Sequence, residues 1–183
     1  MMSKKKMSTP MHLLLDKNIA RRYLEGVSAL ARGELLAVEE RQVVFLVHQA
    51  ANLGTQLAIS PETFNLLMAH GRRLAPAETV MLLRRTKVVY PTRYFKRWAR
   101  RLRQRTFSRE DAKILALGTF GTDQNGSILG VRSIVTMDKP MVRKWQHQRN
   151  EIAAALLEMT GNLGSPYASA SLPDVGLLED VFC

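Results

Sequence analysis

The sequence predicts an α/β protein, a three-layer α/β/α sandwich around a central, mainly parallel sheet. Four short apolar runs have the length of strands and are bounded by turn signals: His12–Leu15, Gln56–Ser60, Lys87–Tyr90 and Ser133–Thr136. They are apolar nearly throughout rather than alternating, as strands covered on both faces are. Stretches of helical period separate them, and strands alternating with helices build a parallel sheet through right-handed crossovers.

Taken in order, Met1–Pro10 reads as a flexible basic tail, residues 11–160 as the folded domain and 161–183 as a C-terminal tail. Lys17–Glu25 predicts a short helix closed by Gly26, with Ile19 and Tyr23 inward and Arg21 and Arg22 outward. Glu34–Asn52 predicts a long, largely buried helix carrying Leu35, Leu36, Val38, Val43, Phe45, Leu46 and Val47, and placing His48 in a core or an interface. Ser60-Pro61-Glu62 is a helix start, with a serine cap, proline in the first turn and an acid beside it. Pro76–Arg85 is another helix. Thr92–Arg105 is a basic helix whose Phe95, Trp98 and Leu102 form one apolar stripe. A helix follows Phe107-Ser108, Thr122–Gly126 is a turn, and Met141–Met159 is helical with a break expected near Gln148–Asn150. Ser171–Cys183 mixes acids with Leu, Val and Phe, and is too short for a core element of its own.

The formal net charge is +11 and the pI is about 10.3, so the expected partner is a polyanion. RNA is the first expectation, with DNA left open. The arginine-rich helix offers Arg93, Lys96, Arg97, Arg100 and Arg101 as phosphate contacts, which give affinity and salt dependence rather than sequence choice. Cys183 is the one cysteine, so no internal disulfide forms and a reducing compartment fits. The apolar run Met11–Leu15 is too short for a signal-peptide core, and no run reaches membrane-span length, so a cytoplasmic location is expected. The four histidines lack metal-ligand spacing, and no glycine fingerprint for a dinucleotide follows a strand.

Three acids occupy the edges where α/β sheets collect their functional groups. Asp16 ends the first strand, Asp138 follows the fourth, and Asp111 sits in the first turn of a helix. Converging carboxylates repel one another unless a cation holds them, which points to Mg²⁺ or Mn²⁺ and metal-assisted phosphodiester hydrolysis. Each acid also fits a plainer role at a helix start: Asp16 before Lys17, Asp138 before Lys139-Pro140, and Asp111 in a Ser108-x-x-Asp111 capping pattern.

The segments LLLDKN, ISPETFNLL, FSREDAKILALGTF and SIVTMDKP, spread from about Met11 to Lys144, resemble the successive motifs of PIN-domain nucleases. The resemblance implies a PIN-like sandwich and a Mg²⁺- or Mn²⁺-dependent ribonuclease. It implies that Asp16, Asp111 and Asp138 are catalytic metal ligands, with Asn18 and Thr136 beside them. It also implies a homodimer and, for the toxin half of a toxin–antitoxin pair, an antitoxin partner. One segment departs from the pattern. The glutamate of the family's second segment falls at Asn65, or at Leu66 by a one-residue shift, and Glu62 lies a turn earlier. A catalytically impaired RNA-binding or assembly module is therefore the alternative expectation.

Overall fold

A computed structural model describes residues 11–182 apart from 51 and 53. The predicted tail Met1–Pro10 and Cys183 lie outside the described residues. The sheet is built from β1 (Met11–Leu15), β2 (Thr55–Ile59), β3 (Thr86–Val88), β6 (Ser133–Thr136) and β7 (Asp174–Leu177). A separate antiparallel ribbon pairs β4 (Tyr90–Pro91) with β5 (Gly121–Thr122). The helices are α1 (Lys17–Ala31), α2 (Val38–Ala50), α3 (Pro61–Leu66), α4 (Pro76–Arg85), α5 (Phe95–Gln104), α6 (Arg109–Phe120) and α7 (Lys139–Thr160). A π-helical turn, Leu67–Gly71, extends α3.

The five strands run in the order β3-β2-β1-β6-β7, every neighbouring pair parallel. This is the expected α/β sandwich. Side chains alternate across β1, so Leu14 packs with α5, α6 and α7 through Trp98, Leu115 and Trp145. Leu13 and Leu15 face the other layer and meet Ile19, Tyr23, Val43 and Leu46 of α1 and α2. The strand ends are level: Leu15 pairs with Ile59 on one side and Val135 on the other. Asp16, Ser60 and Thr136 therefore emerge together at the carboxyl edge of the sheet.

Several elements depart from the sequence expectation. α1 runs straight through Gly26, because the residue serves packing rather than termination. A Cβ there would stand 3.0 Å from Val44 and 3.2 Å from Glu40, so glycine lets α1 and α2 approach. The chain reverses at Gly33, whose φ of 73° suits glycine. α2 starts at Val38 rather than Glu34. Leu35 is 99% exposed, and Val38, Phe45 and His48 are exposed too, so this helix is buried on one face only. α7 is continuous, with no break at Gln148–Asn150.

The C-terminal segment docks back as a strand of the sheet. β7 pairs with β6 along its whole length, from Ser133 opposite Asp174 to Thr136 opposite Leu177. Arg149 of α7 clamps its start, donating to the Pro173 carbonyl and the Asp174 carboxylate. Val175 and Leu178 are buried, one in each layer. Among the described residues, no helix is long and apolar enough to cross a membrane.

A chain ending at Leu172 loses both apolar side chains from the core and leaves β6 as an unpaired edge. Its unfolding free energy in urea should fall by about 3 kcal/mol or more relative to the full chain. An unchanged urea midpoint would show that β7 is dispensable.

Candidate functional site

Asp16 leaves the sheet where β1 ends and α1 begins. Its backbone N–H donates to the Val135 carbonyl, continuing the β1–β6 pairing one residue past the strand. One carboxylate oxygen accepts from the Lys17 N–H at 2.6 Å and so caps α1. The other accepts from the Thr136 hydroxyl at 2.9 Å. Thr136 is fully buried at the end of β6, and its hydroxyl also accepts from the Asp138 N–H at 3.1 Å. One hydroxyl thus ties Asp16 to the segment that carries Asp138.

Asp138 caps α7, one oxygen accepting from the Met141 N–H at 2.8 Å. Among the described residues no hydrogen bond engages its other oxygen. Asp111 differs from both. Ser108 does the capping of α6, accepting the Asp111 N–H at 3.0 Å, and the Asp111 carboxylate makes no hydrogen bond among the described residues. The plainer capping role therefore holds for Asp16 and Asp138 and fails for the side chain of Asp111.

All three acids line one cleft of about 460 Å³ at the carboxyl edge of the sheet. Asn18 and Glu62 line it as well, while Asn65 is exposed and outside it. Glu110 and Lys113, which carry no motif in the sequence that marks them as site residues, complete the polar wall. The Lys113 ammonium spans Glu62 of α3 at 3.0 Å and Glu110 of α6 at 3.2 Å. The spacing of Glu110 and Lys113 by three on one helix was a usable signal for half of this bridge. Five carboxylates against two lysines make the lining acidic in a chain of net charge +11. Phe95, Ile114, Leu117 and Met141 form the apolar side.

Burial is the largest influence on the Asp16 carboxyl and pushes its pKa above the ordinary 3.8. The Thr136 hydroxyl and the Lys17 N–H work against this by stabilising the charged form, and the Asp111 charge adds to the rise. Asp16 and Asp111 are thus close enough to feel one another. Among the described residues, no group of three or more His, Cys, Asp or Glu side chains is arranged to hold a metal ion. The predicted acids share a cleft without closing into a cage. An all-oxygen donor set of this kind suits a hydrated Mg²⁺ or Mn²⁺, which takes one or two carboxylates and keeps much of its water.

The predicted phosphate contacts divide. Lys96, Arg97 and Arg100 are exposed and form no ion pair among the described residues. Arg93 is exposed and stacks over the Tyr94 ring at 5.0 Å. Arg101 instead binds α5 to α7, donating to the Ala155 carbonyl at 3.1 Å and to Glu158 at 3.3 Å. No protein-family model matches this chain, and no curated protein matches it.

Because the Asp16 pKa is raised on folding, the folded state favours the neutral acid. The stability this supplies is fully present below pH 3.8 and is lost as pH rises through the folded-state value. Asp16→Asn keeps a capping oxygen and a partner for Thr136 without the half-buried charge. Its melting temperature should exceed the wild-type value at pH 7, and the gap should close as pH falls toward 3.8. A variant less stable at pH 7 would contradict this account of Asp16.

Proposed function

We propose that this chain is a divalent-metal-dependent ribonuclease, hydrolysing phosphodiester bonds at the acidic cleft. The observation that carries the reading is the concentration of Asp16, Asp111 and Asp138 in one cleft of an otherwise strongly basic chain. A polyanion drawn to the basic surface meets repulsion at that cleft unless a cation intervenes. Asp16 and Asp111 would hold the ion, with Asp138 at its margin. When bound, such an ion supplies Lewis acidity toward a phosphoryl oxygen and acidifies water.

The chain's own residues do the rest. Thr136 and the Lys17 N–H fix the Asp16 carboxylate in one orientation. The Asp111 carboxylate, which makes no hydrogen bond among the described residues, is available to a ligand. Phe95, Ile114, Leu117 and Met141 thin the water on the opposite side, which strengthens electrostatic contacts within the cleft. Lys96, Arg97 and Arg100 supply free cations for the flanking phosphates.

A second reading is a PIN-like RNA-binding or assembly module without turnover. It is favoured by Asn65 standing outside the cleft and by Glu62 being engaged with Lys113.

Cleavage of single-stranded RNA with Mg²⁺ or Mn²⁺ separates the two readings. Wild type should cleave, lose activity in chelator, and lose at least about a hundredfold with Asp16→Asn or Asp111→Asn. Activity that survives Asp16→Asn would dismiss this cleft. Retained binding without cleavage would leave the second reading. Replacing Lys96, Arg97 and Arg100 together by glutamine should lower the slope of log affinity against log salt by about 2 on single-stranded RNA. An unchanged slope would exclude that helix from the contact.

A further inference from the structure

Lys113 is placed where it bears on the cleft's charge. Its helix, α6, presents Glu110, Asp111 and Lys113 to the same lining, and its ammonium reaches across to Glu62 at the start of α3, 51 residues away in sequence. Both contacts are short, 3.0 Å to Glu62 and 3.2 Å to Glu110. The bridge joins two of the helices that line the cleft and occupies two of its five carboxylates. A surface pair of this exposure contributes little to stability. Its influence on a nearby cation is larger, since an ammonium within a few Å repels a divalent ion and also withholds the acids it binds.

We infer that Lys113 is the cleft's internal counter-cation, a positioning residue that holds Glu62 and Glu110 off the ion and thereby sets the affinity of the site for divalent metal. This rests on the reading of the cleft as a metal site. It makes a specific demand: Glu62 should become a ligand once the ammonium is gone.

The test measures Mn²⁺ affinity of the full chain from the free-ion paramagnetic resonance signal. Lys113→Met should bind Mn²⁺ about tenfold tighter than wild type. Lys113→Arg keeps the charge and the bridge, and should match wild type. Arg32→Gln removes an equal charge at the far end of α1, about 24 Å along the helix from Asp16, and should also match wild type. Glu62→Gln should weaken binding more in the Lys113→Met background than in the wild-type chain, because only there is Glu62 free to bind the ion. Circular dichroism melts confirm that the variants are folded.

An unchanged or weaker Mn²⁺ affinity in Lys113→Met would overturn the inference while leaving the metal site standing. So would equal losses from Glu62→Gln in both backgrounds, or cleavage lost with Mn²⁺ affinity untouched, which would make Lys113 a substrate contact. No Mn²⁺ bound by wild type or any variant would remove the metal site, and this inference with it.

Discussion

The hydrogen bond from the Thr136 hydroxyl to Asp16 is the contact on which the geometry of the site depends. It joins the end of β1, the central strand of the sheet, to the end of its neighbour β6, at the point where both strands turn into helices. The same hydroxyl accepts the Asp138 N–H, so one buried side chain sets the relative positions of two acids. That arrangement exists only because parallel pairing brings Leu15 level with Val135. A slip of one residue in β6 would turn Thr136 to the other face of the sheet and leave the half-buried Asp16 without this donor. The cost of desolvating Asp16 is thus tied to the register of the sheet itself.

Charge gives the cleft its second property. The chain is strongly basic, yet the lining of the cleft is acidic. A field of this form gathers a polyanion generally and excludes it locally. Neutralising the local exclusion takes a cation, and Lys113 already performs part of that task for Glu62 and Glu110. Asp16, Asp111 and Asp138 are left as the acids outside that bridge. Among the described residues these acids do not close into a three-ligand group.

The sheet was legible because buried parallel strands announce themselves locally. HLLL and SIVT are apolar without alternation, and each ends beside an acid or a hydroxyl. Asp16 and Asp138 could be placed from those strand ends, and Asp111 from its serine cap. What could not be read was set by contacts distant in sequence. DVGL is too short and too glycine-bearing to declare itself a strand, and it becomes one only against the open edge of β6. Gly26 looks like a helix stop from sequence. Only the approach of Val44 and Glu40 from α2 shows it to be a packing residue inside α1. Arg101 looks like its exposed basic neighbours until α7 arrives with Ala155 and Glu158. The Glu62–Lys113 bridge likewise depends on α3 and α6 meeting across the cleft.

The most direct measurement of the central claim is an anomalous difference map from crystals of the full chain soaked in Mn²⁺. The account predicts a peak in the cleft within coordinating distance of the Asp16 and Asp111 carboxylates, absent from crystals of Asp16→Asn. A cleft without a peak at saturating Mn²⁺, or a peak that persists in Asp16→Asn, would contradict it.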